Sequence, residues 1–116
     1  MIDYRIGNLV EQILENLKQP VSISDMAESA NVSIDYFYKL FKQETGFTPN
    51  QFIRTRRLER AKELLETTNL RVKEISSQVG IQDQSHFVRD FKTKYGNKPT
   101  EYRQKHWEKS HAPNRQ

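Results

Sequence analysis

Apolar residues recur at steps of three and four through most of this chain, and the rhythm breaks where proline, glycine, asparagine or serine stands. Ile6, Leu9, Val10, Ile13, Leu14 and Leu17 form one such stripe, the spacing of an amphipathic helix. Asp3 is placed to cap this helix. Gln19-Pro20 ends it, because the residue before a proline avoids the α region. Ser22 then caps a short helix carrying Ile23, Met26, Ala27 and Ala30, and Asn31 tolerates the left-handed conformation of a tight interhelical turn. Ser33 opens a third helix to about Thr45, with Phe37, Leu40 and Phe41 inward and Gly46 at its C-terminal stop. Thr48 and Pro49 open a long helix to about Thr67, whose apolar positions are Phe52, Ile53, Leu58, Ala61, Leu64 and Leu65. At nineteen residues or so it would span roughly 28 Å. Neither strand-like alternation nor an Asn-Gly hairpin signal occurs in the sequence.

The second half repeats the first. Ile23, Met26, Asn31 and Val32 align with Val72, Ile75, Gly80 and Ile81 at an offset of 49. Phe37, Phe41, Gly46, Pro49 and Phe52 align with Phe87, Phe91, Gly96, Pro99 and Tyr102 at an offset of 50, so one residue is inserted in the turn. The expected fold is all-α, about seven helices arranged as two helix-turn-helix subdomains joined by a long linker helix. Residues 1–48 form the first subdomain, 49–68 the linker, 69–109 the second subdomain and 110–116 a flexible tail. Two copies are fewer than a solenoid needs. A short helix, a tight turn and a second helix is instead the unit that projects one helix into a DNA groove.

Fixing the buried face fixes the exposed one. With Phe37, Leu40 and Phe41 inward, Ile34, Asp35, Tyr38, Lys39 and Lys42 share the opposite side, and Tyr38 and Val88 are expected as exposed apolar surface. With Phe87, Phe91 and Tyr95 inward, Gln84, Ser85, Val88, Arg89 and Lys92 face out, and His86 lies at the flank. These side-chain types can read base edges: Arg pairs with guanine, Gln with adenine, Ser with either, and Val meets a thymine methyl. An ordinary solvated face has similar composition, and Asp35 favours that blander reading unless it accepts from a cytosine amine. Arg54, Arg56, Arg57, Arg60 and Lys62 crowd the long helix, where a solvated face with a minor phosphate role is expected.

Composition narrows the partners. Of 116 residues, 34% are hydrophobic and 29% charged, with a net charge of +4, which permits an anionic partner. Cysteine is absent, which excludes disulfides, thiolate metal sites and cysteine nucleophiles. No apolar run approaches the ~20 residues of a membrane span, and no signal peptide is visible, so a cytoplasmic protein is expected. His86, His106 and His111 lack metal-ligand spacing. Glycine-rich phosphate loops, nucleophile elbows and paired-carboxylate sites are missing too. Neither a metal nor a cofactor nor an enzymatic activity is expected. A helical protein-interaction module that does not bind DNA is the alternative.

The stretch GIQDQSHFVRDFKTKYGNKPTEYR resembles the signature of the AraC/XylS family of bacterial transcription regulators, and the likeness extends to ISDMA and RRLERAKELL. It covers about Leu9 to Arg103. The resemblance implies two helix-turn-helix subdomains on a rigid linker, each presenting a reading helix to one of two successive major grooves. Carried over by position, it implies DNA contacts at Asp35, Tyr38 and Lys39 in the first reader, and at Gln84, Ser85, His86, Val88 and Arg89 in the second. It further implies activation through RNA polymerase. Most members carry a separate effector or dimerisation domain, so the chain is read as the C-terminal domain of a longer regulator, with a short stand-alone member as the other reading. As an isolated chain it is expected to be a monomer. Four departures from the family pattern stand out. Ile81 replaces phenylalanine, so the second core is expected to be slightly underfilled. Arg71 and Lys98 replace capping residues, each loss worth about 0.5–2 kcal/mol, and Asp35 makes the first reader locally acidic.

Overall fold

The computed structural model describes residues 3–111 and contains seven α-helices and no strand among them. They are α1 (Tyr4–Glu15), α2 (Ile23–Ser29), α3 (Ile34–Thr45), α4 (Pro49–Thr67), α5 (Val72–Gln78), α6 (Gln84–Tyr95) and α7 (Pro99–His111). The chain divides inside α4 into two compact units, the first ending at Arg57 and the second beginning at Leu58.

In the first unit Ile6, Leu9 and Ile13 of α1 bury against Met26 and Ala27 of α2, Phe37, Leu40 and Phe41 of α3, and Phe52 and Ile53 of α4. Phe37 and Phe41 lie with ring centroids 5.7 Å apart, and Phe41 meets Phe52 edge-on at 5.5 Å. In the second unit Leu58, Ala61, Leu64 and Leu65 bury against Ile75, Val79, Phe87 and Phe91. Ile81 is packed against this cluster as a half-buried member together with Leu70, Val72, Tyr95 and Tyr102.

Each interhelical turn closes with the same backbone bond, Val32 N–H to the Ala27 carbonyl at 3.1 Å and Ile81 N–H to the Ser76 carbonyl at 2.9 Å. Both turns pass through the left-handed region, at Asn31 (φ 59°) and Gly80 (φ 84°), which glycine enters freely and Asn or Asp tolerates. The second turn is held further by the buried Ser76 hydroxyl, which donates to the Ile81 carbonyl.

Several details depart from the sequence expectation. α1 ends at Glu15, where Asn16 closes the last turn; within it Leu14, about 100° round the helix from buried Ile13, is 46% exposed rather than part of the buried stripe. The carbonyls beyond that early end find a partner 40 and 38 residues away: Arg57 donates from Nε to Leu17 O and from Nη2 to Gln19 O, both at 3.0 Å. Burial draws the Arg57 guanidinium below its ordinary pKa. Arg103 does the same for the end of α4, donating to the carbonyls of Leu65, Thr68 and Leu70. Ser110 and His111, expected in the tail, are the last residues of α7; residues 112–116 of that expected tail lie outside the described residues.

The two missing caps are half replaced. An arginine or lysine side chain cannot accept a hydrogen bond, so neither Arg71 nor Lys98 caps through its own side chain. In each case the acid three residues on reaches back, Glu74 accepting from Arg71 N–H at 3.0 Å and Glu101 from Lys98 N–H at 2.9 Å. That is one arm of a capping box. The first unit has both arms at α4, where Thr48 and Gln51 bond reciprocally.

Candidate nucleic-acid interface

α3 and α6 are both twelve residues long and start 50 residues apart. Each is pinned at its start by a side-chain cap: Ser33 Oγ accepts from Tyr36 N–H at 3.1 Å, and Asp83 Oδ1 from His86 N–H at 3.2 Å. Each stops at a left-handed glycine, Gly46 and Gly96, both at φ 83°. On the inner side Phe37 and Phe41 of α3, and Phe87 and Phe91 of α6, are fully buried. Side chains on the opposite side therefore project from helices whose ends and inner faces are fixed.

On α3, Ile34, Asp35, Lys39 and Lys42 are exposed as expected. On α6, Gln84, Ser85, His86, Arg89 and Lys92 are exposed as well. Tyr38 and Val88 correct the expectation of exposed apolar surface, since both are half-buried. Each follows a buried phenylalanine by one residue, about 100° round the helix, and so sits at the margin between the buried and outer faces. The Tyr38 hydroxyl accepts from Asn50 Nδ2, at the start of α4, at 3.4 Å.

The side chains of Lys39, Lys42, Arg89 and Lys92 have no acidic partner among the described residues. Asp35 stands in the first turn of α3, where a carboxylate is favoured by the helix dipole. That gives it a structural reason to be there besides any contact with a base.

Two further residues stand out at the start of α3 and behind the turn before it. Tyr36 is 49% exposed and occupies on α3 the position that His86 occupies on α6; the offset of 50 already pointed to it. Behind it, Arg5 Nη1 donates to the Ala30 carbonyl at 2.9 Å, where α2 gives way to the turn before α3. Asp3 bonds that guanidinium in return, which holds the Asp3 carboxyl below its ordinary pKa. Among the described residues, no group of three histidines, aspartates or glutamates could hold a metal ion.

The profile of a family described as a helix-turn-helix domain matches residues 26–105. The regulator MtrA of Neisseria gonorrhoeae is 32% identical over 101 residues, covering 87% of this chain and 34% of MtrA. The transcriptional activator NphR of Rhodococcus is 36% identical over 102 residues, covering 88% of this chain and 30% of NphR. The chain thus spans about a third of the length of these curated relatives. The crystal structure of the DNA-binding domain of AdpA, a global transcriptional factor, in complex with a target DNA superposes with a TM-score of 0.87. It is 25% identical, covering 97% of this chain and all of that domain. With two capped, glycine-stopped helices at matching places in an all-α fold and a family profile matched across both copies, the chain belongs to the AraC family of helix-turn-helix transcription regulators.

Proposed function

We propose that this chain binds double-stranded DNA sequence-specifically and regulates transcription in the cytoplasm, with α3 and α6 each reading a major-groove segment. The observation that carries this reading is the pair of outer faces. Lys39, Lys42, Arg89 and Lys92 are exposed and, among the described residues, without acidic partners, on helices fixed by caps and buried phenylalanines. Cations held out in this way suit phosphates and guanine edges. AdpA, whose DNA-binding domain was solved on its target DNA, shares the fold over nearly the whole chain. The family is one of transcription regulators and not of enzymes.

The assigned contacts are Ile34, Asp35, Tyr38, Lys39 and Lys42 from α3, and Gln84, Ser85, His86, Val88, Arg89 and Lys92 from α6, to which Tyr36 is added by its register with His86. Activation is the direction favoured by likeness to NphR, with RNA polymerase as the second partner. The two readers share a core and differ at every outer position except Lys42 and Lys92. A monomer on an asymmetric site follows, because palindromic operators mirror protein dimers.

Gel-shift titrations against random duplex DNA at several salt concentrations test the reading. Binding should weaken linearly in log affinity against log salt, as counterions released from phosphates require. A chain that leaves duplex DNA unshifted at low salt is not a DNA reader, and the interaction-module alternative then takes its place.

A further inference from the structure

The contact between Asn50 and Tyr38 has no counterpart in the second copy. Tyr38 corresponds to Val88 and Asn50 to Thr100 at the offset of 50, so the second reader has neither the hydroxyl nor the amide. In the first unit the amide Nδ2 donates to the phenol oxygen at 3.4 Å across twelve residues of sequence. Asn50 belongs to the first turn of α4, behind the Thr48–Gln51 capping box that fixes that turn. The Tyr38 ring is half-buried at the margin of the reading face, which limits where its hydroxyl can go.

A phenol has one proton to donate and lone pairs to accept with. When a lone pair is engaged by the Asn50 amide, the hydroxyl proton is left for a second partner, and the ring's partial exposure lets that partner approach from outside. From the geometry we infer that Asn50 is a positioning residue, which sets the Tyr38 hydroxyl as a hydrogen-bond donor toward an acceptor on a base edge in the major groove. The acceptors there are purine N7, guanine O6 and thymine O4, whereas the cytosine N4 amine is a donor. The first half-site should therefore contain one base pair at which an acceptor is preferred to a cytosine amine through Tyr38, and the second half-site should lack such a preference at Val88. This inference rests on the DNA-reading function proposed above.

The test uses the full chain. Binding is measured on duplexes selected by the wild-type protein and on all single-base variants of the first half-site, for wild type, Tyr38→Phe, Asn50→Ala and the double variant. Thermal unfolding first checks that each variant is folded, which is expected because Asn50 is exposed and phenylalanine retains the Tyr38 ring. Each single variant should lose about threefold to tenfold of discrimination at one and the same base pair, the size of one net hydrogen bond. The double variant should be no worse than Tyr38→Phe, since Asn50 acts on the base only through the hydroxyl that this substitution removes. Asn50→Asp supplies a readout that a merely structural role would not move. A carboxylate accepts the phenol proton, so the hydroxyl turns its lone pairs to the DNA and the preference at that base pair should move toward a base amine. A uniform loss over all sequences for Asn50→Ala would make Asn50 a phosphate contact and overturn the inference. Unchanged discrimination would overturn it too, as would losses at two different base pairs. All of those outcomes leave DNA reading itself intact, whereas a wild-type protein without any sequence preference removes both.

Discussion

Phe91 meets Tyr102 edge-on, with ring centroids 5.6 Å apart and planes at 72°. Fifty residues earlier Phe41 meets Phe52 in nearly the same way, at 5.5 Å and 76°. The repeat is thus conserved within the chain down to the geometry of an aromatic pair, between the reading helix and the helix after it. The copies differ in what the second ring carries. Tyr102 has a hydroxyl, which donates to the Glu66 carboxylate.

That hydroxyl makes the second unit sensitive to alkali. Burial, and then the bond to Glu66, push the Tyr102 phenol well above its ordinary value of 10.0. Burial raises Tyr95 beside it as well. The folded state holds both protons more tightly than the unfolded state, so their contribution is fully present below about pH 10 and is lost progressively as pH rises above it. Urea unfolding at pH 9 and pH 11 should show the second unit weakened at the higher value. Tyr102→Phe should shrink that difference. An equal loss in both proteins would mean that the Tyr102–Glu66 contact does not control the titration.

Restoring a cap should stabilise. Arg71→Ser and Lys98→Thr each add an acceptor where only one arm of the capping box now exists, with Glu74 and Glu101 already in place. Each should raise unfolding stability by about 0.5–2 kcal/mol. Asp83→Ala should lower it by a similar amount, because Asp83 caps α6 at 3.2 Å. Thermal unfolding of the three variants checks this; a destabilised Arg71→Ser protein would show that the arginine itself holds the turn.

The helices and both cores were legible because they rest on local periodicity, and the offsets of 49 and 50 reappear in the starts of α2 and α5, α3 and α6, α4 and α7. Residues paired across long stretches of sequence were not legible. Arg57 looked like one of several solvated cations, yet it closes the end of α1 40 residues away. Asp83 caps α6 at the offset of 50 from Ser33, so the repeat itself pointed to it although the spacing of apolar residues did not. Within the candidate site, exposure of the charged positions followed from the buried phenylalanines. Tyr38 and Val88 were misjudged because a residue 100° from the buried face belongs to neither side, and only packing decides how far it sinks.

The outer lysines and arginine should separate by function. Lys39 and Arg89 lie mid-helix on the reading faces, and Lys42 and Lys92 lie in the last turns. Lys39→Ala and Arg89→Ala should each cost about 1–3 kcal/mol on the preferred site and relax one base pair. Lys42→Ala and Lys92→Ala should weaken all sequences alike and flatten the salt slope by about one unit. Salt titrations on specific and non-specific duplexes distinguish the two behaviours.

The measurement that bears most directly on two unlike readers in one chain is enrichment of bound duplexes from a random pool, run in parallel on wild type, Lys39→Ala and Arg89→Ala. The wild-type protein should enrich a site with two separate blocks of different sequence. Lys39→Ala should blur one block and leave the other intact, and Arg89→Ala should do the reverse. Enrichment of a single block that both variants blur, or of no block at all, would contradict the assignment of α3 and α6 as independent readers.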